Sequence, residues 1–213
     1  MGSWGGTPLV GLLAAACLVP AGCTAADPSA SDGPGDLEVA GSQAASPSGE
    51  PEQEVLGIGF DLPTGWQTFR VDDIDPADTT ARTVAEQLGV RTRQLERRLA
   101  TTELYLVNEA DADEGYLPTI DVYPVPGSVP EDEQIEQDFA RVGAEVADLR
   151  REDTAAGEVA VVSYRLPTRT VTIEGASLVV SLEDQALIIA VSDVDRARAD
   201  EVADTLVASL VTH

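Results

Sequence analysis

The stretch that most restricts the fold lies near the C-terminus. "EVAVVSYRL" (158–166) is followed by "RTVTIEGASLVVSLEDQALIIAVSD" (169–193), a run dense in β-branched residues. Its turn signals, Glu174-Gly175 and Glu183-Asp184, have hairpin length, and strands joined that tightly pair antiparallel. The pattern then changes period. In "DVDRARADEVADTLVASL" (193–210) Val202, Leu206 and Leu210 fall on one face of a helix, and Asp193 stands where an N-cap is expected.

The preceding body mixes the same two signals. In "EVLGIGFDLPTGW" (54–66) Ile58 and Phe60 alternate with glycines before a turn at Leu62-Pro63-Thr64-Gly65, and Trp66, Phe69 and Val71 begin a second strand. "TELYLVNE" (102–109) and "LPTIDVYPV" (117–125) are strand-like. "EDEQIEQDFARVGAEVADL" (131–149) reads as one amphipathic helix with Ile135, Phe139, Val142, Val146 and Leu149 on its inner face. Glu131, Asp132 and Glu133 suit its first turn, and Arg150 and Arg151 its end. "TVAEQLGVRTRQLERRLA" (83–100) also reads as a continuous helix, with Val84, Leu88, Leu95 and Leu99 within an arc of about 60°. The expectation is an α+β domain over 55–213 in which a central, mainly antiparallel sheet is covered by helices. A body of that length is ample for one hydrophobic core.

Residues 83–100 also have the look of a DNA-binding helix-turn-helix, but the chain excludes nucleic acid as a partner. It has 38 acidic residues against 13 basic ones, all arginine, for a formal net charge of −25. Phosphate backbones are bound by cations, and nucleic-acid domains carry a basic footprint. The two cysteines, Cys17 and Cys23, are both N-terminal, and the one histidine is His213. The body therefore has no Cys/His zinc set and no Ser/His or Cys/His nucleophile pair.

The N-terminus reads as an export signal. The apolar run Val10–Val19 is too short to span a bilayer as a helix and has the length of a signal-peptide core. It ends in "PAGC", which resembles a lipobox. Residues 1–22 are then the lipoprotein signal peptide, cleaved between Gly22 and Cys23, and Cys23 is the lipidated residue that holds the protein in the membrane. "AAAC" (14–17) is a rival site with a shorter apolar run, and "MGSWGG" lacks the usual positive n-region. Residues 24–54 are rich in Ser, Ala, Gly and Pro and carry seven acids and no base. Such a segment cannot bury enough apolar area to offset its ordering entropy. It is expected to be a disordered tether with a span of roughly 30 Å.

"GFDLPTGWQ" (59–67) and "ASLVVSLEDQALIIAVSDVDRARADEVADTLVASL" (176–210) resemble the opening turn and the closing hairpin and helix of PsbP-like domains, as in actinobacterial LpqN-type lipoproteins. The lipobox-like "PAGC" and the tether fit that resemblance. It implies an α/β sandwich around an antiparallel sheet and a non-enzymatic binding or assembly role. The matching residues, Pro63, Gly65, Trp66, Leu206, Ser209 and Leu210, carry no catalytic set.

No cofactor is implied. Glu109, Asp111 and Asp113 faintly echo a calcium loop, but Glu114 and Ile120 stand where an EF-hand places Gly and Glu. Asp72, Asp73, Asp75 and Asp78 form a second acidic loop with no metal pattern. The body is expected to be a monomer. Its favoured role is a surface-anchored binding module on the extracytoplasmic face of the cell membrane, and the alternative is a carboxylate-dependent cell-wall hydrolase. One positive patch stands out. On the 83–100 helix and just before it, Arg82, Arg93 and Arg97 lie opposite the apolar stripe, a landing place for an anionic envelope glycolipid or protein.

Overall fold

The computed structural model describes residues 51–69, 100–112, 116–168 and 171–212. The expected signal peptide with Gly22 and Cys23, most of the expected tether, the helix predicted over 83–100 apart from Ala100, the arginines Arg82, Arg93 and Arg97, the acidic stretch Asp72–Asp78 and Asp113 lie outside these residues.

Two sheets form. A small one pairs β1 (Gln53–Val55), β2 (Ile58–Phe60) and β10 (Val211–Thr212), so the two ends of the domain meet. The large one has seven strands: β3 (Gln67–Phe69), β4 (Leu104–Val107), β5 (Thr119–Pro126), β6 (Glu145–Thr154), β7 (Gly157–Pro167), β8 (Thr172–Ser181) and β9 (Gln185–Asp193). Their order across the sheet is β3-β4-β5-β9-β8-β7-β6, and every pairing is antiparallel. Helices α1 (Asp132–Arg141) and α2 (Arg196–Ser209) take opposite faces. The chain is thus α+β with a large antiparallel sheet and helices, as the sequence predicts.

Side chains alternate across each strand. One face sends Leu104, Leu106, Ile120, Val122, Val161, Leu178, Ile189 and Val191 against Ala199, Val202, Ala203 and Leu206 of α2. The small sheet adds Ile58 and Phe60 to that layer. The other face carries Ala160, Val162, Tyr164, Val179, Ile188 and Ala190 and packs on Ile135 and Phe139 of α1. The Phe139 and Tyr164 rings meet at 5.0 Å with a 51° tilt.

Three local expectations are corrected. The predicted 131–149 helix ends at Arg141, and Glu145–Thr154 is a strand. Gly143, at φ +79°, turns the chain where the periodic pattern seemed to continue. Val146 and Leu149 face the same core from β6 instead, because their spacing spans a bulge between Val146 and Asp148. Arg150 and Arg151 consequently lie in a strand and not at a helix end. Second, Glu174-Gly175 is no turn: β8 runs straight through it. Gly175 is there for space, since a Cβ would stand 2.3 Å from Cζ of the buried Tyr164 ring on the paired strand. The hairpin between β8 and β9 does turn at Glu183-Asp184. Third, the α2 N-cap is Asp195, whose carboxylate accepts from the Ala197 and Arg198 amides.

The residues behind the family resemblance hold structure. Ser209 Oγ accepts from the Asp61 amide at 2.9 Å and donates to the Thr205 carbonyl, tying the end of α2 to the start of the domain. Gly65 takes φ +99° beside the Asn108 side chain, Trp66 packs partly buried on the core, and Leu206 and Leu210 are buried in it.

Candidate functional site

Helix α2 lies mainly over β8 and β9 and reaches β6 with few contacts. On the α2 side, β6 therefore presents Asp148, Arg150 and Glu152 to an open groove of about 570 Å³ whose far wall is the α2 residues Arg196, Asp200 and Asp204. Ser163, beside Asp148 on β7, forms the floor and donates to Asp200 at 3.2 Å. The alternation that buries Leu149 on one face is what aims Asp148 and Arg150 into the groove on the other.

The groove's charges are partly paired with one another. Arg150 bridges strand and helix: its Nε donates to Glu152, and one terminal nitrogen donates to Asp204 at 2.8 Å. The other terminal nitrogen stands 3.6 Å from Asp148. The Glu152 hydrogen bond first, and then the other carboxylates, raise the Arg150 pKa above its ordinary value despite partial burial. Arg196 lies 3.8 Å from both Glu174 and Asp200 and donates to the Tyr164 and Gly175 carbonyls. Four carboxylates and two guanidinium groups thus line one groove, an excess of two negative charges.

A hydrolase of the carboxylate type needs one carboxyl group kept from ionising by burial or by a second negative charge. Each groove carboxylate instead faces a guanidinium. Two deeply buried acids, Asp193 and Asp138, lie outside the groove and serve structure. Asp193 at the end of β9 accepts from the Val194 and Asp195 amides and takes a two-pronged ion pair from Arg198, at 2.8 and 3.0 Å. That hydrogen bonding raises the Arg198 pKa. Asp138 accepts from Gln134 and pairs with Arg141.

Of the calcium-like set, Asp111 accepts from the Asn108 amide group at 2.7 Å, which folds the loop locally. Among the described residues no group of three metal-ligating side chains converges. Among them, too, no helix is long and apolar enough to cross a membrane. Sequence reading missed the groove because its near wall, β6, begins inside the 131–149 stretch read as helix. The alternating charges Asp148, Arg150 and Glu152, at strand period, were the available signal.

The chain is similar to two kinds of solved structure. One is the solution structure of PsbP from the cyanobacterium Synechocystis sp. PCC 6803, at 11% identity and a TM-score of 0.42, covering 74% of this chain and 87% of that one. The other is the crystal structure of LpqN, involved in cell envelope biogenesis of Mycobacterium tuberculosis, at 12% identity and a TM-score of 0.45, covering 73% and 83%. No family model and no curated protein matches. The structural neighbours are the proteins that the sequence resemblance names, and at this overlap they carry no functional assignment.

Proposed function

We propose that the protein is a lipid-anchored, non-catalytic accessory module on the extracytoplasmic face of the cell membrane. The order of the sequence supports the anchor: an apolar run, a lipobox-like "PAGC", then a polar stretch before the domain. Two acyl-type chains on Cys23 supply the two signals that stable attachment needs, while a body of strong negative charge adds no attraction to anionic lipid. The observation that carries the binding role is the open groove between β6 and α2, whose carboxylates are matched to arginines and not set up for proton transfer.

Cys23→Ala tests the anchor. The variant is expected to lose lipid-dependent processing and to leave the membrane fraction. A variant that is processed and fractionates like the native protein refutes it. The positive patch of Arg82, Arg93 and Arg97 remains part of this proposal as a contact for an anionic envelope partner.

A further inference from the structure

We infer that β6 is a docking edge for an extended basic segment of another protein, which adds to the sheet as a further strand. The inference takes from the proposed function only that the domain binds, and it needs no membrane attachment. Two separate features meet at β6. The first is the backbone. Among the described residues β6 is the outermost strand, ten residues long, whereas the opposite edge strand β3 has three. Every second N–H and C=O along such an edge points away from the sheet, and that row is what an added strand pairs with. The bulge between Val146 and Asp148 limits the regular edge to Asp148–Thr154.

The second feature is charge. Asp148 and Glu152 on this strand, with Asp200 and Asp204 across the groove, outnumber Arg150 and Arg196. Asp204 is 69% exposed and reachable from solvent. Charged side chains on an edge ordinarily block pairing. Here the block is selective. A second copy of this chain, at −25, is repelled, and an acidic or neutral strand gains nothing from the groove. A strand with Lys or Arg at alternate positions places those cations over the four carboxylates. Its intervening residues then fall on the opposite face, beside the partly buried Leu149 and beside Arg151, whose charge is taken up by Asp132 and Glu158, so that face favours apolar residues over further cations. The partner that fits is therefore an extended segment alternating basic and apolar residues.

The test uses the full chain carrying Cys23→Ala and a short synthetic peptide alternating lysine and valine. A second peptide of the same sequence has alternate backbone nitrogens methylated, which keeps its charge but prevents ladder pairing. The first peptide should bind saturably, shift and protect the amide signals of 148–154, and weaken with added salt. The methylated peptide should bind about tenfold more weakly or worse, the equivalent of losing two ladder hydrogen bonds. Glu152→Gln combined with Asp204→Asn should weaken the first peptide as well. Equal binding of both peptides reduces the effect to charge alone and overturns the inference. So do amide shifts centred away from β6, and so does absence of binding at low salt.

Discussion

The two faces of the seven-stranded sheet are built differently. The face under α2 is a continuous aliphatic layer, from Leu106 and Ile120 through Ile189 and Leu178 to Val161, and α2 covers it with Ala199, Val202, Ala203 and Leu206. The face under α1 combines rings and small residues. Tyr164 lies across Gly175, Phe139 meets Tyr164, and Ala160, Ala186 and Ala190 leave room beside them. Buried Asp121, Thr119, Ser177 and Ser192 share its strand positions, alternating with the residues that face α2. The first face is stabilised mainly by the area it removes from water, at roughly 25 cal/mol per Å². The second depends on fit, because a ring above a glycine leaves no slack.

The largest expected effect sharpens this contrast. Phe139→Ala removes the ring that α1 contributes and leaves Tyr164 without it, so unfolding stability should fall by about 4 kcal/mol. Leu206→Ala on the aliphatic face should cost about 3 kcal/mol, since neighbouring branched side chains close part of the cavity. Urea midpoints of the two variants decide the order. A reversed order would mean that the rings are less tightly fitted than their 5.0 Å approach suggests.

The ion pair that fixes α2 to the sheet comes next. Arg198→Ala leaves the Asp193 carboxylate, only 5% exposed, without its guanidinium partner. The backbone amides of Val194 and Asp195 still serve it, so the loss should be about 3 kcal/mol, at the low end for a broken buried pair. Thermal unfolding measures it, and Arg198→Lys should recover only part, because an ammonium group cannot make the two-pronged contact. A loss below about 1 kcal/mol would class the pair with exposed surface bridges and detach α2 from the account of the aliphatic face.

The central strands and α2 were readable in sequence and the passage from α1 into β6 was not, and the reason is periodicity. Val202, Leu206 and Leu210 repeat at helical spacing with no competing pattern, and β7 and β9 are dense in β-branched residues. Residues 131–154 satisfy two patterns. Ile135, Phe139, Val142, Val146 and Leu149 keep helical spacing, yet Asp148, Arg150 and Glu152 alternate at strand spacing. Tertiary pairing with β7 decides between them, and no local signal contains that pairing. The groove was lost with it, since its near wall is β6. The Gly175 error has the same origin: Glu-Gly is a turn signal unless Tyr164 stands on the next strand to need the space.

That last case gives the next prediction. Gly175→Ala should cost about 2 kcal/mol by overpacking, because the Cβ meets a fully buried ring that has nowhere to go. Ile189→Leu on the aliphatic face, a change of shape at constant volume, should cost less than about 1.5 kcal/mol. If the two variants melt together, the faces do not differ in tolerance and the contrast fails.

The smallest effect concerns the other misread glycine. Gly143 follows α1 at φ +79°, and a Cβ there would meet nothing within 4 Å. Its requirement is conformational and not steric, the reverse of Gly175. Gly143→Ala should therefore cost about 1 kcal/mol, the penalty for a side chain in the left-handed region. The cost should come with no change in the β6–β7 register, since the pairs from Glu145 to Thr154 hold the strand irrespective of the turn. Amide exchange across β6 distinguishes the outcomes. If 142–149 instead gained helical protection at the expense of strand pairing, the glycine would be the element that selects between the two patterns. The charged groove beside β6 would then rest on that one residue.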